Sequence, residues 1–294
     1  MNRSKIFALM TIKNESDIVI ETLEKASLWA DKIFILDNMS DDGTWELINN
    51  YAMGNDKIVL WGRYSGRFYL ALRQVIFKDY STEANPGDWW CRLDGDEFYI
   101  DDPRDFLHSL DDSIDHVYNA SFQYYYTEDD FRNETSNPSK ESVTLRLKWY
   151  KCNHSEIRFV KHSNSICWPQ NTEWPCNLTN PASNRIRLKH YQYRDINQII
   201  SRLKARTSAD SGSSFTHEKV SVDEWYHKRK FSIPKDPELA SLRIVSKSDL
   251  TDSDDFKYHD QELPPIFKNN IKRKIKNKVI LFYMKYLNSQ LFKI

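Results

Sequence analysis

The first hundred residues alternate between two kinds of apolar spacing. Continuous or period-two apolar runs at 5–12, 32–37, 57–61 and 89–93 predict strands. Between them Val19, Leu23, Ala26 and Ala30 fall at helical spacings, as do Phe68, Leu72, Val75 and Ile76, and a shorter helix is predicted over 44–51. Strands alternating with helices specify an α/β fold with a mostly parallel central sheet and helices on both faces. From about Asp115 the pattern changes to strand-like pieces at 116–126, 142–150, 156–161 and 185–190, a mixed region that ends in a predicted helix over 195–206. The polar stretch 127–140 is long enough to be functional. Residues 208–265 show little periodicity. The chain divides on these patterns into one domain over 1–265 (an α/β half 1–100, a mixed half 101–210, an extension 211–265) and a tail over 266–294.

Open α/β sheets bind ligands beyond the carboxyl ends of their strands. Three polar clusters stand at predicted strand ends, Lys13-Asn14-Glu15, Asp37 through Thr44, and Asp94-Gly95-Asp96-Glu97, and this topology converges them on one rim. Adjacent carboxylates raise one another's pKa unless something positive stands nearby. A Mn²⁺ or Mg²⁺ ion held by hard Asp oxygens meets that need, with Gly95 letting the backbone turn or approach a ligand closely. The bland alternative is an Asp-Gly turn with solvated carboxylates. Asp37 through Thr44 likewise reads either as a capped turn or as a turn that presents Asp37 to a nucleobase or ribose.

Composition narrows the class. The chain has 294 residues, 40% hydrophobic and 14% aromatic, too apolar for a disordered protein. Its 42 basic and 42 acidic residues cancel, but eight basic residues and no acid lie in 266–294, which leaves 34 basic against 42 acidic over 1–265. An acidic body excludes a general nucleic-acid binder, which needs a basic face. The four cysteines, Cys91, Cys152, Cys167 and Cys176, form no CxxC pair and are too few to staple the chain, so a reduced, cytoplasmic setting is expected. The short apolar run near the N-terminus is expected to be a buried first strand rather than a leader.

Taken together, "IKNESD", "ILDNMSDDGTWELI", a helix carrying Arg73, and "DWWCRLDGDEF" resemble, in order and spacing, the inverting glycosyltransferases of the family 2 type, which have the GT-A fold. The resemblance covers roughly residues 5–100. It implies a sugar-nucleotide donor, UDP-linked as the first expectation, whose diphosphate is clamped by Mn²⁺ or Mg²⁺. On this alignment Asn14 and Glu15 line the nucleotide, and Asp37 with Asn38 meets the base or ribose. Arg73 pairs with acidic groups of the site or with the donor. Asp94 and Asp96 form the DxD pair, and Asp94 also contacts the donor. "RLKHYQYRDINQIISRLKA" is similar to a segment in which a His returns to the metal, so His190 is the implied third ligand, with Tyr191, Tyr193 and Arg194 near the diphosphate. Glu173 stands where an acidic residue follows a Trp-containing turn and is the implied catalytic base; Glu156, Asp129 and Asp130 are its rivals. Tyr124, Tyr125, Tyr126, Trp149, Trp168 and Trp174 either stack on an acceptor sugar or fill the core.

In the tail, Ile271, Ile275, Val279, Phe282 and Tyr286 form one helical stripe among Lys and Arg. A basic amphipathic helix of this kind reads as an anionic-membrane anchor, giving a peripheral enzyme on the inner face of the cell membrane with a glycan or lipid-linked acceptor. The Asn, Lys and Ile content points to an AT-rich bacterial genome and to surface-polysaccharide synthesis. Rival readings are a sugar nucleotidyltransferase, although "TIKNESD" lacks the Gly-rich phosphate loop such enzymes use, and a catalytically degenerate glycan-binding scaffold.

Overall fold

The computed structural model describes residues 3–127, 130, 141–207, 250–259 and 261–266. The predicted tail beyond Ile266, Asp129 and most of the 211–265 extension lie outside them. Nine strands run β1 (Ile6–Ile12), β2 (Lys32–Asp37), β3 (Ile58–Arg63), β4 (Trp89–Leu93), β5 (Glu97–Tyr99), β6 (His116–Tyr124), β7 (Tyr150–His154), β8 (Ile157–Lys161) and β9 (Ile186–His190). Six described helices are α1 (Val19–Trp29), α2 (Thr44–Met53), α3 (Leu72–Tyr80), α4 (Pro103–His108), the single turn α5 (Val143–Arg146) and α6 (Ile196–Thr207).

The strands form one sheet in the order β3-β2-β1-β4-β8-β6-β9-β5, with β7 added on β6. The β3-β2-β1-β4 half is parallel throughout; beyond β4 the pairings are antiparallel except for β6 with β9. This is the α/β architecture expected from the first hundred residues, with the mixed region following it. Side chains of β1 alternate between the two faces. Ile6, Ala8, Met10 and Ile12 pack with Val19, Leu23 and Ala26 of α1 and Ile48 of α2. Phe7 and Leu9 pack on the other face with Leu72, Ile76 and Phe77 of α3 and Trp90 of β4. No described helix is long and apolar enough to cross a membrane.

The predicted strand over 142–150 is corrected by the structure to the helical turn α5 followed by β7. The run Val143-Thr144-Leu145-Arg146-Leu147 satisfies period two. Burial instead follows the i, i+4 pair, with Val143 and Leu147 inside and Leu145 65% exposed. Strand β5 was hidden for the opposite reason, since its first residue, Glu97, reads as part of a solvated acidic turn yet is 2% exposed.

Asp115 ties the mixed half together at the start of β6. Its carboxylate accepts from Thr179 N at 2.7 Å, Thr179 Oγ1 at 3.1 Å and Asn180 N at 3.0 Å, and it contacts His116 Nδ1. Burial alone would raise the Asp115 carboxyl, but these donors outweigh it and hold the group below its usual 3.8. Its stabilisation is therefore complete at neutral pH and is lost as pH falls below about 4. Asp115→Ala is expected to cost about 2–3 kcal/mol in urea unfolding at pH 7 and far less at pH 3; an equal loss at both values would show that the ionised carboxylate is not responsible.

Candidate active site

The parallel register sets the rim. Ile12 lies opposite Asp37, and Met10 opposite Leu93, so the residues that follow β1, β2 and β4 emerge side by side. Behind them β5 runs antiparallel to β9 with Glu97 opposite His190, and Tyr191 N donates to Asp96 O at 2.9 Å. This pairing brings a residue nearly a hundred positions away back to the Asp-Gly-Asp turn. Gly95 is required there by space, because a Cβ would stand 2.9 Å from Ile12 Cδ1 and 3.3 Å from Glu15 Cγ.

A continuous ion-pair network fills the rim. Arg158, 1% exposed, meets Glu97, Glu156 Oε1 at 2.8 Å and Asp94 Oδ2 at 3.3 Å. Arg73 binds the other oxygen of Asp94, and Arg92 reaches Glu156 at 2.8 Å, Glu173, and Asp94 at 3.8 Å. Arg194, fully buried, binds Glu15, Asp17 at 2.6 Å and Asp96 at 3.5 Å. His190 Nε2 lies 3.3 Å from Asp96 Oδ1 and closes the circuit. Four guanidinium groups and His190 thus meet seven carboxylates, two of which, Glu15 and Glu97, are only part-ionised at neutral pH.

Titration in the network follows the partners. Burial opposes ionisation of Asp94, but Arg73, Arg92 and Arg158 hold it well below the usual carboxylate range. Asp96 is likewise brought to about 2, the pull of His190 outweighing burial, while Asp96 lifts His190 to about 9 against its burial. For Glu15 and Glu97 burial wins over Arg194 and Arg158, and both are pushed up to about 7. Glu156 is held well below its usual range, Arg158 and Arg92 overcoming its burial.

The β1 and β2 loops lock onto each other. Asn14 adopts φ 57°, its N–H donates to Ser40 Oγ at 2.9 Å, and its side chain exchanges bonds with Asp41 at 2.8 and 3.1 Å. Asn38 Nδ2 donates to Tyr64 O at 2.8 Å and Gly66 O at 2.9 Å. Asp37 is fully buried, and its two oxygens are taken by Ser40 N, Ser40 Oγ and Arg63 Nε at 2.9 Å. In this geometry Asp37 holds the turn, and the group it orients toward the rim is Arg63, a third of whose side chain is exposed.

Glu173 sits on the loop after β8 at the edge of the network, one oxygen on Arg92 and the side chain 35% exposed. Its rival Glu156 is engaged through both oxygens by Arg92, Arg158 and His154. Asp130 caps Thr127. Trp168 and Trp174 stack at 6.1 Å with 19° between their planes beside Glu173. Tyr124, Tyr126, Tyr191 and Tyr193 belong instead to a buried cluster, with Tyr124 stacked on Tyr191 at 4.5 Å. Of the three residues implied near a diphosphate, Arg194 alone reaches the acidic network.

The residues fit a divalent ion completed by substrate. Among the described residues no three His, Cys, Asp or Glu are grouped as a metal cage. Asp94 faces arginines, but Asp96 and His190 adjoin, and His190 would give up its proton to a bound ion. His190 Nδ1 is buried without a hydrogen-bond partner, 4.0 Å from Glu97 Oε1, the place of the outer carboxylate that orients a metal-binding imidazole. One or two protein carboxylates plus substrate phosphates is a common way to hold Mg²⁺.

Sequence reasoning singled out Arg73, Arg194 and the acids other than Asp17, but missed Asp17, Arg92 and Arg158. The available signal was an Arg inside each of two apolar runs, "WWCRL" and "IRFVK", where a buried carboxylate cluster needs counter-charge.

No protein-family model and no curated protein matches the chain. Solved structures do. The mannosyltransferase PcManGT from Pyrobaculum calidifontis, in complex with GDP-Man and Mn²⁺, is 11% identical over 70% of this chain and 62% of its own, with a TM-score of 0.38. GalNAc-T7 with UDP, GalNAc and Mn²⁺ is 10% identical over 70% of this chain and 48% of its own, TM-score 0.40. A glucose-1-phosphate thymidylyltransferase from Bacillus anthracis in complex with a sucrose is 10% identical over 44% and 58%, TM-score 0.31. The chain thus spans about half to three-fifths of the length of these structures.

Removing one partner of the buried network strands the others. Arg158→Met is expected to destabilise the protein by about 3–5 kcal/mol. Adding Glu97→Gln should return about 1–3 kcal/mol of that loss in chemical denaturation; strict additivity of the two substitutions would show that they do not act through one network.

Proposed function

We propose that the chain is a metal-dependent inverting glycosyltransferase that moves a sugar from a nucleoside-diphosphate donor, UDP-linked by first expectation, to a glycan or lipid-linked acceptor. The observation that carries this reading is the contact of Asp96 with His190, beside Asp94, at the carboxyl ends of parallel strands, where α/β sheets bind nucleotides. The order of the motifs over residues 5–100 supports the same reading.

Asp96 and His190 would hold Mn²⁺ or Mg²⁺, whose chemistry is charge stabilisation of the departing diphosphate. Arg73, Arg92 and Arg158 keep Asp94 ionised and fixed. Glu173 takes the proton of the acceptor hydroxyl on its free oxygen as the hydroxyl oxygen bonds to the anomeric carbon. The bond from that carbon to the diphosphate breaks on the opposite face, and its electron pair leaves with the phosphate. Glu156, doubly paired and strongly acidic, is a weak base. Trp168 is buried against Phe77, whereas Trp174, stacked on it and partly exposed, offers an apolar face to an acceptor sugar.

Calorimetric titration of UDP, GDP, CDP and dTDP in Mn²⁺ and in EDTA tests the donor site. One diphosphate is expected to bind only with Mn²⁺ and at least about tenfold more weakly in Asp96→Asn. Binding indifferent to both changes removes the metal reading, and no binding of any diphosphate leaves the scaffold reading. The base is tested separately: Glu173→Gln should bind donor normally and lower kcat by about 10²–10⁴-fold, and a fully active variant excludes Glu173.

A further inference from the structure

Cys167 and Cys176 stand at the two ends of the loop that carries Trp168, Glu173 and Trp174. Cys176 N donates to Cys167 O at 2.8 Å, and Cys167 N donates to Asn177 Oδ1 at 3.0 Å, so the loop has a closed neck. Within it Thr172 N bonds back to Pro169 O at 3.2 Å, Asn171 takes a left-handed φ of 60°, and Trp168 Nε1 donates to Thr172 O at 3.0 Å. The two thiols are in hydrogen-bond contact and neither is in a disulfide. The 2.8 Å bond from Cys176 N to Cys167 O, with standard backbone dimensions, limits the separation of their Cα atoms to about 6.7 Å. Disulfides form at roughly 4.4–6.8 Å.

We propose that Cys167 and Cys176 are an oxidisable dithiol whose disulfide clasps the 167–176 loop. Thiol–disulfide exchange with a small disulfide such as oxidised glutathione accomplishes it. The half-buried Cys167 sulfur attacks one glutathione sulfur, forms a mixed disulfide and expels the first glutathione thiol, which takes the Cys167 proton. The Cys176 sulfur then attacks Cys167 Sγ, the second glutathione leaves with the Cys176 proton, and the protein has lost two hydrogen atoms while glutathione has gained them. Burial, reinforced by the neighbouring thiol, pushes Cys176 up to about 12, so the thiolate that attacks in the second step grows as pH rises. Cys91 is fully buried beneath the sheet and Cys152 lies in a separate core cluster, which leaves this pair as the one poised for exchange among the four. Formation of the bond does not depend on the glycosyltransferase reading; its consequence for Glu173 does.

The full chain is incubated with excess reduced or oxidised glutathione, alkylated, and mapped by mass spectrometry without reduction, with hydrogen exchange followed across 168–175. The oxidised protein is expected to yield a Cys167–Cys176 cross-link lighter by two hydrogens, reversed by dithiothreitol. Cys176→Ser should stop at a glutathione adduct on Cys167. Amides of the loop should exchange at least about tenfold more slowly after oxidation in the wild type, with no change in Cys176→Ser. Four thiols that all remain alkylatable, or a cross-link that includes Cys91 or Cys152, would overturn the assignment. A bond that forms without slowing exchange would overturn the clasp. Because neither readout uses sugar transfer, a failure of the glycosyltransferase reading would appear in the diphosphate titration and not here.

Discussion

The site depends on keeping ionised groups out of water without leaving them unpaired. A lone buried carboxylate costs several kcal/mol and neutralises itself, so acids can cluster behind the rim only if cations are buried with them. Arg158 and Arg194 provide this from below, each with almost no exposed surface, and each touches acids from more than one strand end. Their planar forks bind two carboxylates in fixed directions, which an ammonium group does not. The network therefore fixes geometry as well as charge: Asp94 cannot turn without breaking contacts to Arg73 and Arg158, and Asp96 is held between His190 and Arg194.

That network can exist where it does because of the sheet. Parallel strands present their carboxyl ends together, and the crossing of β9 beside β5 adds His190 from the second half of the chain. The apolar faces of β1 and β4 bury the stems of the arginines, and α3 brings Arg73 against β1, where its Nε donates to Leu9 O at 3.3 Å. Core and site are therefore not separable layers. The same β4 residues alternate between Cys91 and Leu93 in the core and Arg92 in the network.

Much of this was legible in the sequence, and unevenly so. The β1, β2 and β4 runs were legible as short continuous apolar stretches because both of their faces are buried, and the α1 stripe because one side of that helix is. The rim followed from topology alone, and the clustered acids at 94–97 demanded a positive partner. What was not legible is how that demand is divided. From one strand, Arg92 and Arg158 read as ordinary polar positions, and their burial is visible only when β4 and β8 are paired. Asp37 shows the converse: a strand-end carboxylate can face a ligand or be consumed by its own turn, and Ser40, three residues on, decides for the turn. The alternation at 143–147 misled because five residues satisfy periods of two and four about equally well.

The division of labour between Glu156 and Glu173 follows from the same electrostatics. Both contact Arg92, yet Glu156 rises from beside β8 into the buried network and is clamped on both oxygens, whereas Glu173 comes from a loop and keeps one oxygen facing solvent. A carboxylate clamped by two arginines holds its charge too tightly to accept a proton. A carboxylate with one arginine is oriented and keeps part of its side chain accessible. The second kind stands on a loop closed at its neck, beside stacked Trp168 and Trp174, while the first is held by the rigid strands. The arginine network is thus a boundary: below it charges are consumed by structure, and at its edge Glu173 keeps a side chain that is 35% exposed.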